Sequence, residues 1–442
     1  MTSADVVDQL VPEVPESWFR WPSGWGDLSK ISQIQTCSRG TLASVQAQII
    51  YSIVLTLVGR LATRSPTFVH RWLLNPFLVF LGYLSLVQWL DNPFVIRTAL
   101  IGSIISAVII KYASCKWSGY GFTLAALGYI VALEYRLPAN QFTASRGCLM
   151  ILAMKLSALA FDFQKSLARR RTADLPSMVS YLISPATIPF GPFFTFDQHL
   201  RSLAPQKWKQ EFQSLIKASF ALLIAGFCLV YSSCIIELVF PKCQCLKEYG
   251  IAQSFRFSHY FVCFLSQALA QLSGVSTVAV NPHLIEIPWS MKDVVVAWNI
   301  PMHNYLKKYI FNEVHRFGGV LALAATFATS ALFHGLNFQL STVLFSLGFY
   351  CYAEHELREK LSNRFVLSRF RRGKRNWAAL IINAIFLVIN VYHLIYLGMV
   401  FDGSQSDTGY SSKHTLSVWQ RHHFVSPAIA AVTYLLSVLP IF

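Results

Sequence analysis

Charged residues are scarce in this sequence: they make up 13% of its 442 positions, whereas hydrophobic residues make up 54%. Ordinary soluble domains are about one-quarter charged, so this composition excludes them. Stretches of roughly 20 apolar residues, enough for a helix to cross a bilayer, recur along the chain instead. The sequence predicts an all-α polytopic membrane protein of about eleven spans, at about 43–62, 73–91, 94–112, 118–135, 146–163, 213–239, 257–275, 314–334, 338–356, 377–400 and 418–440.

The motifs that hold metals, nucleotides or activated nucleophiles are also missing. The nine cysteines show neither zinc-ligand spacing nor a disulfide framework. The HEL stretch at 355–357 lacks the second histidine of H-E-x-x-H, and no G-x-S-x-G elbow, P-loop or Rossmann fingerprint stands in a suitable setting. We therefore expect no bound metal and no permanently bound cofactor.

Acidic residues are few: 21 of them face 37 lysines and arginines, which gives a formal net charge of +16. In a membrane protein this excess of positive charge is typical of positive-inside topology and of contact with anionic headgroups. Binding of a phosphate-bearing substrate is the more specific alternative explanation. Nucleic acid is not expected as a partner, because the basic residues lie between spans. The densest clusters, RRRT at 169–172 and RFRRGKR at 369–375, are both assigned to the cytosolic side.

Counting spans outward from these clusters predicts a luminal N-terminus and a cytosolic C-terminus. It places His334 in the luminal half of its span and Asn299 near the cytosolic face. The opening MTSADVVDQL has no basic region, so an internal span is expected to act as the targeting signal. Residues 1–40, with their SWFRWPSGW stretch, are expected at the interface, and residues 41–442 as one membrane domain.

Two segments do not have the composition of simple spans. SPATIPFGPFF, at 184–194, contains three prolines and a glycine, which break helical hydrogen bonding and are tolerated at membrane depth only inside protein or beside a cavity. It predicts a re-entrant or broken element. Residues 288–313 mix aromatics with lysines and predict interfacial helices divided near Pro301.

Ionisable and amide side chains within spans are informative because each is costly in a bilayer. Lys155 and Asp162 lie seven residues apart on one helix face, about two turns from each other, which favours snorkelling or a structural contact with another helix. Asn383, Asn390 and His393 form one polar stripe. Such a stripe usually joins helices by hydrogen bonds, and lining of a reaction chamber is the alternative.

His334 stands in the otherwise apolar or small stretch SALFHGLNF, 330–338. Ser330 lies one turn earlier on the same face, and Gly335 with Asn337 is expected to break the helix directly after the histidine. A neutral imidazole at a helix end beside a cavity is a candidate general base, because its proton affinity lies near neutral pH. A packed core histidine is the alternative from spacing alone.

These residues resemble the signature of the membrane-bound O-acyltransferases. WNIPMHNYLKKYIF at 298–311 and SALFHG at 330–335 match the family's asparagine and histidine motifs. Further similar stretches occur in the same order, and they cover most of the chain from about residue 146 to 400, the expected catalytic core. The resemblance extends to those members of the family that acylate Wnt proteins.

The resemblance implies a multi-pass fold in the endoplasmic reticulum membrane, in contact with membrane lipids. It also implies transfer of a palmitoleoyl group from palmitoleoyl-CoA, as donor substrate, to a serine of a Wnt protein. Carried over by position, His334 is the essential histidine and Asn299 its paired asparagine, with Trp298 and Ser330 as further site-lining residues. We expect His334 to act as a general base and Asn299 as its polar partner, in a direct transfer; Ser330 leaves an acyl-enzyme route open.

Two further sets of residues are candidate substrate contacts. Lys307 and Lys308 are expected to attract the phosphates of CoA, and His393 to line the chamber. Acylation of a lysophospholipid or sterol by the same His and Asn is the alternative within the family. A transporter with a relay of intramembrane His, Lys and Asp side chains is the alternative outside it.

Overall fold

The structure, a computed structural model, describes residues 28–64, 71–113, 117–236, 244–364, 377–403 and 411–439. Within these residues it is built of helices and contains no strand, so the all-α prediction is confirmed. In chain order the helices are α1 Leu28–Ala62, α2 Arg71–Trp89, α3 Pro93–Tyr112, α4 Ser118–Arg136, α5 Ala139–Lys165, α6 Leu167–Thr172, α7 Leu175–Leu182, α8 Phe196–Ser202, α9 Trp208–Val230, α10 Gln244–Leu272, α11 Pro282–Glu286, α12 Met291–Trp298, α13 Ile300–Leu306, α14 Asn312–Val314, α15 Gly319–Phe333, α16 Phe338–Arg364, α17 Trp377–Gly398, α18 Ser412–Arg421 and α19 Val425–Val438.

Each predicted span overlaps at least one of these helices. Five helices are long and apolar enough to cross a membrane by length and composition, and further apolar helices are shorter. The five are Lys30–Ala62, Pro93–Tyr112, Ala139–Lys165, Trp208–Ile235 and Leu380–Gly398. The protein is therefore a multi-pass membrane protein, and the total of about eleven crossings stays a prediction.

Two boundaries differ from the predicted ones. The predicted span 418–440 is two helices, α18 and α19, because His423 and Phe424 adopt positive φ angles of 49° and 51°, which no helix continues through. At the other end, α1 is already helical at Leu28, so the interfacial segment predicted for residues 1–40 runs into α1. Residues 1–27, including SWFRWPSGW, lie outside the described residues.

Helices α1 and α9 run antiparallel and are joined at both ends. At one end Cys37 of α1 forms a disulfide with Cys234, in the π-helical turn Tyr231–Ile235 that extends α9. At the other end Arg60 and Arg64 of α1 both pair with Glu211 of α9. The cysteine spacing gave no indication of this disulfide, because the two cysteines are 197 residues apart and no local pattern relates them.

The segment Ile183–Thr195 between α7 and α8 is not a regular helix and is buried for most of its length, as predicted for residues 184–194. The fully buried Lys155 of α5 holds it. The Lys155 ammonium donates to the Tyr181 carbonyl at 2.7 Å and to the Thr187 hydroxyl at 2.5 Å. It thereby supplies the partners that a broken backbone lacks inside an apolar slab.

Asp162, two turns after Lys155, bonds to a different element. Its carboxylate accepts from the Tyr309 hydroxyl at 2.9 Å and from the Lys308 ammonium at 3.0 Å, both in the π-helical turn Lys307–Phe311 that follows α13. Both residues therefore make structural contacts. Lys155 joins α5 to the broken segment, and Asp162 joins α5 to the turn that follows α13.

The buried apolar side chains form two main clusters. One centres on α5 and the broken segment and includes Met302 and Phe333. The other centres on α9, α10 and α17 and includes Ala297. The chain passes from the second cluster to the first between Ala297 and Met302, so Asn299 lies at the junction of the two halves.

Lys155→Met is expected to destabilise the folded protein. The change leaves a buried carbonyl and a buried hydroxyl without their donor, and each such group costs about 1–3 kcal/mol. The thermal midpoint of the purified protein in detergent should fall by several degrees. Lys165→Met, on the same helix but half exposed and paired with Glu313, is the control and should leave the midpoint nearly unchanged. Equal midpoints for both variants would contradict the role given to Lys155.

Candidate active site

Asn299 occupies a break between two short helices. Helix α12 ends at Trp298, and α13 begins at Ile300 with Pro301 in its first turn, so the predicted division near Pro301 is confirmed. The backbone of Asn299 is extended, with φ −148° and ψ 88°, and its side-chain oxygen accepts from the Met302 amide at 3.1 Å. That bond caps α13 and uses only the oxygen. Within the described residues the side-chain amide nitrogen donates to no group.

The backbone on either side of this break is bonded to the loop after α10. The Ile300 amide donates to the Ala279 carbonyl at 2.9 Å, and the Asn281 amide donates to the Ala297 carbonyl at 3.0 Å. These two bonds fix the position of Asn299 from both sides. The backbone on both sides of the break is therefore held by hydrogen bonds, and the Asn299 side-chain nitrogen remains available as a donor.

His334 occupies a second break. Helix α15 ends at Phe333, and Gly335 follows with φ +81°, a conformation that favours glycine. Glu134 of α4 accepts from the Leu336 amide at 2.5 Å, and Asn337 caps α16. A side chain at position 335 would clash, since a Cβ there would lie 2.6 Å from the Glu134 carboxylate. The predicted helix break after His334 is confirmed.

His334 as a whole residue is partly buried. Within the described residues its ring hydrogen-bonds to no protein group. Arg146 of α5 and His259 of α10 act on it electrostatically. A packed core histidine normally has its ring nitrogens hydrogen-bonded. The His334 ring differs from that pattern and can bond to a substrate.

The two breaks belong to one region of the molecule. Phe333, next to His334, contacts Tyr305 of α13, with ring centroids 5.8 Å apart. His259, which lies in electrostatic reach of His334, stacks on Trp298 at 4.4 Å and 7° and bonds the Trp298 carbonyl through its Nε2 at 2.9 Å. Trp298 is the residue before Asn299. The two breaks are therefore related by the Phe333–Tyr305 contact on one side and, on the other, by His259, which contacts Trp298 and acts on His334 electrostatically.

His259 is the residue that sequence reasoning missed. It stands in FSHYFVCF, 257–264, where a single histidine on an apolar helix gives no signal of its own. Only the packing shows that it contacts Trp298 and Cys263 and approaches His334. Arg146 was missed for the same reason, because its helix is separated from α15 by more than 150 residues of sequence.

The other predicted site residues fall into two groups. Trp298 is partly buried between His259 and Phe255, and Ser330 is 7% exposed one turn before His334, so both lie at the site. His393 lies elsewhere: it bonds the Ser426 hydroxyl at 2.6 Å and stacks on Tyr350 at 4.3 Å. Its role as a substrate contact stays a prediction.

The polar stripe that includes His393 makes contacts between elements. Asn383 accepts from Arg358 of α16 at 2.7 Å, and Asn390 donates to the Pro288 carbonyl at 3.1 Å. Both agree with interhelical hydrogen bonding, the usual role of such a stripe.

The two predicted lysines differ in their surroundings. Lys307 is exposed and forms no ion pair within the described residues. Lys308 is engaged with Asp162. Of the two, Lys307 has the ammonium that can meet an anionic ligand without losing an existing partner.

This arrangement is suited to proton abstraction beside a polarised carbonyl. It combines an imidazole and an amide donor that have no hydrogen-bond partner among the described residues. Groups of three or more His, Cys, Asp or Glu with the placement of a metal site are not found among the described residues.

The chain has clear relatives. The model of the MBOAT, membrane-bound O-acyltransferase, family matches residues 89–398, which include every predicted site residue. A protein-serine O-palmitoleoyltransferase porcupine of Caenorhabditis briggsae is 31% identical over 77% of this chain and 81% of its own length. The proteins of the same name from Mus musculus and Homo sapiens are each 33% identical over 64% of this chain and 70% of their own length. This chain is an acyltransferase and belongs to the membrane-bound O-acyltransferase family.

Proposed function

We propose that the enzyme moves a palmitoleoyl group from palmitoleoyl-CoA to a serine hydroxyl of a Wnt protein in the endoplasmic reticulum membrane. One observation carries the proposal: relatives named protein-serine O-palmitoleoyltransferase match this chain at 31–33% identity over most of its length. The unpartnered imidazole and amide at two adjoining helix breaks are consistent with it, because ester formation from a thioester needs a base and an oxyanion donor.

His334 is the proposed general base. Its ring accepts the proton of the acceptor serine as the hydroxyl oxygen attacks the thioester carbonyl carbon. The C–O bond forms, the C–S bond breaks, and the imidazolium returns its proton to the leaving thiolate. His334 therefore ends the cycle neutral, and no oxidant, metal or second nucleophile is required.

Asn299 is the proposed donor to the thioester oxygen. Its side-chain oxygen is used as a helix cap, which orients the amide nitrogen and leaves it available. A donor held in this way costs little reorganisation when charge develops on the carbonyl oxygen. Loss of one such donor typically lowers kcat by about 10²–10³-fold.

Direct transfer is preferred over an acyl-enzyme. Ser330, one turn before His334, is a nucleophile on the same helix face, but it is only 7% exposed, which leaves little room for an acyl chain on its oxygen. Trp298 is proposed to line the acyl channel. Lys307 is proposed to contact the CoA phosphates. Lys308 is proposed to add positive charge there while it stays paired with Asp162. His393 is proposed as a further contact to the substrate.

The topology of the proposal places the N-terminus in the lumen and the C-terminus in the cytosol. Disulfides persist in oxidising compartments such as the lumen, which supports a luminal position for Cys37 and Cys234. Following the helices from there puts Glu134 and Leu336, and hence His334, toward the same side. It puts Lys360, which bonds the Leu436 carbonyl near the end of α19, on the opposite side with the basic cluster at 369–375.

His334→Ala is expected to abolish transfer. Loss of a general base lowers the rate by about 10²–10⁴-fold, and the His334 ring has no structural hydrogen bond to lose. The measurement is incubation with alkyne-tagged palmitoleoyl-CoA and a serine-containing Wnt hairpin peptide, followed by detection of label on the peptide. Asn299→Asp, which keeps the capping oxygen but removes the amide donor, should lower kcat with the fold intact.

Two further arms of this experiment identify the reaction. A lysophospholipid and a sterol offered in place of the peptide should remain unlabelled. Label on either lipid, with none on the peptide, would move the enzyme to the alternative acceptor class. Wild-type rates for His334→Ala would remove the proposed base, and acyl label on Ser330 in stalled enzyme would replace direct transfer with a covalent route.

His259 is expected to act as a positioning residue for Trp298 and Asn299. His259→Gln keeps an N–H near the Nε2 position, whereas His259→Leu leaves the Trp298 carbonyl without its donor. We expect His259→Leu to lower kcat about tenfold or more, with the KM for acyl-CoA unchanged, and His259→Gln to recover most of the loss. Equal kcat values for both variants, at equal thermal stability, would show that the bond does not position the site.

The topology is tested by thiol labelling in sealed microsomes. In Cys37→Ser protein whose other cysteines apart from Cys234 are replaced by alanine, Cys234 should react with a membrane-impermeant maleimide only after the membrane is permeabilised. A cysteine appended after Phe442 should react without permeabilisation. The reverse labelling pattern would invert the proposed orientation.

A further inference from the structure

A stripe of polar side chains leads along α13 from Asn299 toward the surface. The His303 amide donates to the Asn299 carbonyl at 2.9 Å, and the Lys307 amide donates to the carbonyls of His303 and Asn304. Residues bonded in this i→i+4 manner lie on the same side of a helix, so Asn299, His303 and Lys307 share one face. Each interval along that face covers about 6 Å, because the rise is about 1.5 Å per residue.

Exposure increases along this stripe. Asn299 and His303 are partly buried, whereas Lys307 is exposed. Other side chains of α13, such as those of Met302 and Tyr305, are buried in the apolar cluster that centres on α5. The stripe is therefore the side of α13 that connects the candidate active site with solvent.

A second helix contributes a further cation. Lys292, in the first turn of α12, is exposed, and its ammonium acts on the His303 ring electrostatically, as that of Lys307 does. Neither lysine forms an ion pair among the described residues, and Asp293, which follows Lys292, forms none there either. Two ammonium groups from different helices thus lie in electrostatic reach of one imidazole, and both remain available to an anionic ligand.

His303 is the member of the stripe that has no assigned partner. Within the part of the chain that the structure describes, its ring has no hydrogen bond and no contact with another aromatic ring. Burial and the ammonium groups of Lys307 and Lys292 lower the pKa of His303, so the ring is neutral near neutral pH. A neutral imidazole offers one N–H donor and one acceptor nitrogen. These are the two capacities that an amide group needs from its partner.

The donor in the proposed function presents its polar groups in a matching order. In palmitoleoyl-CoA the thioester is followed by the amides of the pantetheine arm, and the pyrophosphate lies at the far end of that arm. A thioester carbonyl at the Asn299 amide nitrogen would direct this arm along the stripe. The amide nearest the thioester would then meet His303, and the pyrophosphate would meet Lys292 and Lys307.

We propose that His303 is a donor-binding residue whose ring bonds the pantetheine amide nearest the thioester, while Lys292 and Lys307 bind the pyrophosphate. The inference rests on the proposed function for the identity of the donor and is independent of the acceptor. A glycerophospholipid headgroup would meet the two lysines but would bring no amide to His303. The stripe therefore distinguishes a CoA thioester from an anionic lipid.

Binding of two donors that cannot be transferred tests this assignment. One is the ketone analogue of palmitoleoyl-CoA, in which a methylene replaces the thioester sulfur, and the other is the same ketone built on pantetheine, which lacks every phosphate. His303→Leu should raise the Kd of both analogues about fivefold, because it removes one neutral hydrogen bond. Lys292→Gln should raise the Kd of the CoA analogue about tenfold and that of the pantetheine analogue by no more than about twofold.

Two further variants are controls. Lys209→Gln removes a charge from an exposed lysine of α9, away from the stripe, and should change neither Kd. His303→Asn keeps a side-chain donor and acceptor and should recover part of the affinity that His303→Leu loses. The thermal midpoints of all variants should equal that of the wild type, because neither His303 nor Lys292 has a side-chain hydrogen bond to lose among the described residues.

The outcomes separate this inference from the proposed function. Wild-type affinity in His303→Leu, or equal weakening of both analogues by Lys292→Gln, would overturn the assignment of the stripe. Failure of the wild-type enzyme to bind either analogue would instead overturn the palmitoleoyl-CoA donor of the proposed function. Transfer to a lipid in place of the peptide would change the acceptor and leave the expected Kd values as they are.

Discussion

The requirement that every backbone amide and carbonyl be bonded in an apolar slab governs this structure. Unbroken helices meet it internally, but this chain interrupts its helices at Ile183–Thr195, at Asn299 and at His334. Each interruption is bonded by a side chain or backbone group from another element. Lys155 bonds the first, the loop at 279–281 bonds the second, and Glu134 bonds the third. The bundle can therefore contain fixed gaps in its helices without unfolding.

The side chains proposed to carry out acyl transfer lie at two of these helix breaks. At these helix ends the backbone is bonded to other elements. The Asn299 side-chain oxygen caps α13, while its amide nitrogen and the His334 ring nitrogens have no hydrogen-bond partner among the described residues. His259 stacks on Trp298, the residue before Asn299, and acts on His334 electrostatically, so it relates the two breaks to each other. The same elements that satisfy the broken backbone also orient the groups proposed to act on the thioester.

Much of this arrangement is predictable from composition and local pattern. The lengths of the apolar stretches predicted the helices. The positions of proline and glycine predicted the broken segment and the breaks near Pro301 and after His334. Both signals depend only on neighbouring residues. The disulfide, the partners of Lys155 and the role of His259 were not predictable. Each depends on contacts between residues far apart in the chain, and a lone cysteine, lysine or histidine in a span has the same local appearance whatever it meets. The division of 418–440 was missed because His423 and Phe424 adopt positive φ without a glycine to indicate it.

The central claim is that Asn299 and His334 act on one thioester carbonyl. The most direct measurement is a density map of the enzyme with a ketone analogue of palmitoleoyl-CoA, in which a methylene replaces the thioester sulfur and transfer is blocked. We expect the ketone oxygen within about 3 Å of the Asn299 amide nitrogen. The His334 ring should face the ketone carbon across a space large enough for a serine hydroxyl. A ketone bound out of reach of both side chains would contradict it.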